Sequence, residues 1–72
     1  MVDIYITNSS GEKPNTPKGG STIPSNWTKD IPEMNGGNPF LFKCSGNKTL
    51  NADGSATYAW TDVKLIQIYG KD

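Results

Sequence analysis

Large apolar residues recur at every second position at three places along the chain, and each such run predicts a β-strand. Val2-Asp3-Ile4-Tyr5-Ile6-Thr7 puts Val2, Ile4 and Ile6 on one side of an extended backbone. Phe40-Leu41-Phe42-Lys43-Cys44, launched by Asn38-Pro39, aligns Phe40, Phe42 and Cys44 in the same way. Ala56-Thr57-Tyr58-Ala59-Trp60-Thr61 returns after Asn51-Ala52-Asp53-Gly54-Ser55, where Asp-Gly supplies the positive φ of a tight reversal. These two runs are expected to form a hairpin with one buried face. In the final run, Val63 to Tyr69, Val63 and Leu65 share one face but Ile66 and Ile68 share the other. Either that strand is covered on both sides, or a bulge near Leu65-Ile66 switches its faces.

The intervening sequence breaks regular structure. Pro14, Pro17 and Gly19-Gly20 make Asn8 to Gly20 a long exposed loop. Pro24, Pro32 and Pro39 punctuate the next stretch, whose apolar anchors are Ile23, Trp27, Ile31 and Met34. Ser25-Asn26-Trp27-Thr28 suits one helical turn or a β-turn, and Trp27 is expected to pin the segment down. The predicted fold is all-β, a small sandwich or open antiparallel sheet of four to five short strands with long Gly/Pro/Asn-rich loops. Residues 1–72 form one module, expected to be a piece of a longer multi-domain chain. Its expected core is Val2, Ile4, Ile6, Trp27, Phe40, Phe42, Cys44, Trp60, Val63 and Leu65.

Composition narrows the chemistry. The chain has no His and no Arg, and its single Cys44 cannot close an internal disulfide. A nucleophile lacks its usual histidine base, and Asp3, Glu12, Asp30, Glu33, Asp53, Asp62 and Asp72 sit mostly in turns suited to solvated or capping roles. No catalytic residue, metal site or cofactor is therefore expected, and the protein is expected not to be an enzyme. Cys44 alternates with Phe40 and Phe42, which favours a buried apolar filler over a reactive thiol. Asp53-Gly54 is explained by turn chemistry rather than calcium, which needs several oxygen ligands at fixed offsets. Seven lysines balance seven acidic residues and are dispersed, so nucleic acid is not an expected partner. No apolar run approaches spanning length, so a membrane is not expected either. A targeting segment is absent, so the chain is either made in the cytoplasm or cut from a longer one.

Aromatic residues carry the remaining functional signal. Trp27, Trp60, Tyr5, Tyr58 and Tyr69 offer flat rings that can stack on sugars or fill a small core. Burial is favoured for each tryptophan. The candidate glycan platform is Tyr5, Trp27 and Tyr58 with Asn26 as a polar partner.

The order of these landmarks resembles a repeat or spacer module of phage and prophage tail proteins, found in tail fibres and minor structural proteins. The matching features are Val2-Asp3-Ile4-Tyr5, Pro17-Lys18-Gly19-Gly20, Trp27-Thr28 to Pro32, Asn38-Pro39-Phe40-Leu41-Phe42, Asp53-Gly54-Ser55 with Trp60, and Ile68-Tyr69-Gly70-Lys71-Asp72. Phe42 stands where many such modules have Trp, and Lys43 where they have Arg. The resemblance implies a non-catalytic structural or recognition module in the virion tail, synthesised in the bacterial cytoplasm. Its implied partners are neighbouring domains of the same chain or other tail proteins. A carbohydrate-binding module docking host cell-surface glycan is the alternative. The resemblance transfers no catalytic residue.

Overall fold

The structure, a computed structural model, describes residues 1–70. Lys71 and Asp72, the end of the Gly-x-Asp motif, lie outside the described residues. Three strands form: β1 (Val2–Asn8), β2 (Phe40–Leu50) and β3 (Ala56–Ile68). They make one open antiparallel sheet in the order β1-β2-β3, with no helix among the described residues. The all-β expectation holds in its open-sheet form. The count of four to five strands and the sandwich do not appear.

The reason for the lower count lies at Asp62. The runs Ala56–Thr61 and Val63–Tyr69 read as separate strands because the alternation breaks between them. In the sheet they are one strand of 13 residues with an irregularity at the break. Cys44 pairs with Val63 and Gly46 with Trp60, so Ser45 alone faces Thr61 and Asp62. A bulge of this kind absorbs one residue and restores the parity of the faces. Thr61 Oγ1 donates to the Ser45 carbonyl at 2.6 Å and stabilises the bend. A second irregularity lies where Leu41 pairs with Gln67 and Phe42 with Leu65, which leaves Ile66 as the extra residue. The face switch expected near Leu65-Ile66 is therefore made by a bulge.

One face of the sheet carries the core. Val2, Ile4 and Ile6 on β1 pair with Gly46, Cys44 and Phe42 on β2, and Cys44 in turn with Val63. Ile4, Phe42, Cys44, Val63 and Trp27 form the buried cluster, with Val2, Ile6, Ile23, Phe40 and Trp60 packed against it. Burying a side chain of the size of Ile4 or Phe42 contributes roughly 1.5–3 kcal/mol. Nine of the ten expected core residues thus belong to the core or its margin. Leu65 does not: it is 44% exposed although it is the partner of Phe42. It sits on an edge strand, and among the described residues loop backbone bonds the outer edge of β3 only at Tyr58. Leu41 is the reverse case, 1% exposed on the opposite face from Phe42 and outside the main cluster.

Cys44 is buried as a free thiol, with Sγ 3.4 Å from the Thr61 carbonyl. Burial pushes its pKa up, and nearby Asp62 adds to the shift against the opposing hydrogen bond to Thr61. The thiol is held in its neutral, unreactive form.

The β2–β3 turn follows the expected chemistry. Gly54 N donates to the Asn51 carbonyl at 3.0 Å and Asn51 N to the Ser55 carbonyl at 2.9 Å, with Gly54 at φ +89°. Asp53 Oδ1 accepts from Ser55 N at 2.9 Å and from Ser55 Oγ at 2.6 Å. These two bonds hold the Asp53 carboxyl below its ordinary pKa. A depressed carboxylate stabilises the fold above its unfolded pKa, and that contribution disappears as pH falls through the folded value. Acid titration of the wild type should therefore include a small loss of stability in that range. Asp53→Asn should lack that component, and superimposable acid melts of the two proteins would count against the turn described.

Candidate functional site

Ser9 to Pro39 joins two neighbouring strands by the longest route available, and this loop builds the candidate site. Its first part turns back through Asn8, whose Oδ1 accepts from Gly11 N at 3.0 Å and whose Nδ2 donates to the Glu12 carbonyl at 2.9 Å. Gly11, at φ +77°, lies against the Phe40 ring so closely that a Cβ would meet ring carbon at 2.9 Å. The loop then reaches the outer edge of β3. Gly20 N donates to the Tyr58 carbonyl at 3.2 Å, and Tyr58 N donates back to Gly20 at 2.7 Å. Gly19 leaves no room for a side chain there, since a Cβ would stand 2.6 Å from the Tyr58 carbonyl oxygen.

From that anchor the chain crosses the core face to the opposite edge. Ile23 packs on the core, and Trp27 N donates to the Pro24 carbonyl at 3.1 Å, closing a β-turn with Ser25 and Asn26 at its tip. Trp27 fills the core at 8% exposure. Thr28 then pairs with β1: Thr28 N donates to the Tyr5 carbonyl at 2.9 Å, and Tyr5 N to that of Thr28 at 2.8 Å. The Thr28 hydroxyl donates to the Asp30 carbonyl at 2.7 Å and stiffens the exit. A strap thus runs from one sheet edge to the other, fixed by two backbone hydrogen bonds at each end and by Trp27 between them.

A cavity of about 470 Å3 opens within the strap. Residues 17–20, Thr22 and residues 24–27 line it. Lys18 is the charged side chain among these residues.

The four candidate residues do not form a single platform. Asn26 and Trp27 line the cavity, although Trp27 offers little of its ring to solvent. Tyr58 touches the site through its backbone bonds to Gly20, while its ring stacks on Trp60 at 5.4 Å between centroids and 5° between planes. Lys48 Nζ lies 5.9 Å from the Tyr58 centroid, so the ring has neighbours of its own. Tyr5 lies on the other face of the sheet from Ile4 and meets the strap only through Thr28.

Lys18, Thr22 and Ser25 were not among the ligand-binding candidates read from sequence, although Lys18 and Ser25 lie in motifs noted there. The Gly19-Gly20 pair was the available signal, because two glycines beside a proline fit a close backbone approach as well as a turn. Among the described residues no three His, Cys, Asp or Glu side chains gather as metal ligands do, and no helix is long and apolar enough to cross a membrane. No protein-family model, curated protein or solved structure matches the chain.

Proposed function

We propose that the chain is a non-catalytic structural and recognition module of a phage or prophage tail-associated protein, presenting its strap to a host surface. The observation that carries this reading is the double anchoring of the strap, by Gly20 on Tyr58 and by Thr28 on Tyr5. A long Gly/Pro-rich loop held at both ends loses little further entropy on binding, which suits presentation to a ligand. The elongated outline, 46 × 19 × 18 Å, suits a spacer in a longer chain. Leu65, Ile66 and Tyr69 are exposed on or beside β3 and offer a neighbouring domain or tail protein an apolar contact. The further strands and second sheet of a sandwich would come from that neighbour. The glycan-binding alternative draws support from the cavity beside Asn26 and Trp27.

Labelled protein tests the recognition reading on a panel of bacterial cells and isolated envelopes. Saturable binding to at least one strain is expected. Thr28→Pro removes the N–H that donates to Tyr5 at 2.9 Å and should weaken that binding by about tenfold while the β-sheet circular dichroism persists. A folded wild type that binds nothing across the panel would overturn the reading.

A further inference from the structure

We propose that the strap cavity is a binding site for an acidic saccharide, with Lys18 receiving the carboxylate and the turn Pro24–Trp27 receiving the hydroxyls. This inference rests on the recognition reading above and names the ligand class of the strap. The volume, about 470 Å3, falls within the roughly 300–1,000 Å3 that small-ligand pockets occupy. Its lining, residues 17–27, is held by Gly20 on Tyr58 and, just beyond Trp27, by Thr28 on Tyr5, at opposite edges of one sheet. A cavity built this way is present before the ligand arrives.

The lining chemistry selects the ligand. Lys18 is the one charged side chain of the lining, so the charge it can pair with there is that of an anion. Thr22, Ser25 and Asn26 supply two hydroxyls and an amide, all three exposed to solvent. Each therefore keeps its donor and acceptor capacity for a ligand. Pro17, Pro24 and the exposed margin of Trp27 add apolar surface of the kind that meets the C–H face of a sugar ring. A ligand that satisfies all three demands carries one carboxylate, several hydroxyls and a compact ring. A uronic or sialic acid residue does so. A neutral sugar leaves Lys18 unpaired, and a bare carboxylate leaves the hydroxyls and amide unused; a charge-assisted bond to Lys18 makes the difference between them.

Amide chemical shifts of the whole protein, titrated with galacturonate oligomers, N-acetylneuraminic acid and matched neutral oligosaccharides, test this assignment. The acidic saccharides should move the amides of residues 17–27 and the Trp27 indole in a saturable way, and should bind about tenfold more tightly than neutral ones. Lys18→Gln should abolish that preference, and Asn26→Ala should weaken every saccharide, with the remaining spectrum unchanged in both. Equal binding of neutral and acidic sugars, unaffected by Lys18→Gln, would overturn the acidic class. Shifts confined to Tyr5 and the opposite face would overturn the site. Silence across both panels would overturn the whole inference; continued binding to cells would then leave the recognition reading standing, whereas loss of cell binding would remove both.

Discussion

Gly46→Ala is expected to destabilise the protein by about 2 kcal/mol and to lower its Tm by roughly 8–16 °C, on the scaling for domains of this size. Gly46 is buried in the central strand opposite Trp60, and the indole lies across its backbone. A Cβ at this position would stand 2.4 Å from Trp60 Cε3 and 2.6 Å from the Ala59 carbonyl oxygen. The first clash can be eased by turning the ring, but that ring is also stacked on Tyr58 and covers the edge of the core. The second involves backbone, which cannot move without breaking the β2–β3 ladder. Overpacking of this kind costs about 1–3 kcal/mol, and two simultaneous contacts place it at the upper end. Alanine also restricts the unfolded chain, an opposing gain of at most about 1 kcal/mol. Sterics win. Urea melts read the loss directly, and Gly46→Ala should cost less in a Trp60→Ala background than in the wild type, since the ring clash is then absent while the carbonyl clash stays. A Gly46→Ala protein as stable as the wild type would show that Trp60 does not lie over β2.

The hairpin and the core face were legible in sequence because local rules govern both. Alternation along Val2–Thr7 and Phe40–Cys44 needs only the period of a strand, and Asp53-Gly54 needs only a turn that demands positive φ. The bulge at Ile66 was one of the two readings the sequence allowed, the other being a strand covered on both sides, and the register chooses between them. The bulge at Thr61-Asp62 was not readable, because a break in alternation looks the same whether the strand ends or bends. Leu65 was misjudged for a different reason: alternation names the face of a side chain but not whether anything covers that face. Leu41 carried a signal in the unbroken apolar run Phe40-Leu41-Phe42, the mark of a strand buried on both sides. The strap illustrates the deeper limit. Gly20 and Thr28 are fixed by partners 38 and 23 positions away, at Tyr58 and Tyr5, and no local pattern announces such backbone pairings. The cavity itself emerges only once both anchors are placed.

Phe42→Ala is expected to leave the protein largely unfolded at room temperature, whereas Leu65→Ala should cost less than about 1 kcal/mol. The two residues face each other across β2 and β3, and both were expected in the core on equal terms. Phe42 is 1% exposed and sits between Ile6 and Leu65 on the central strand, within the cluster that includes Trp27 and Val63. Truncating a buried Phe costs about 3–5 kcal/mol, because the transfer free energy is lost and a cavity remains. At roughly 0.05–0.15 kcal/mol per residue, a chain of 72 residues has only about 4–11 kcal/mol in total. A chain this short with a single cysteine, which cannot close an internal disulfide, belongs near the bottom of that range, so the loss consumes most of the margin. Leu65 already exposes 44% of its surface, and its removal leaves no enclosed cavity. Circular dichroism melts of the two variants separate these outcomes. If Leu65→Ala proves as damaging as Phe42→Ala, then β3 is covered in solution by something that this chain alone does not supply, and a neighbour packed on that strand becomes part of the stability of the module.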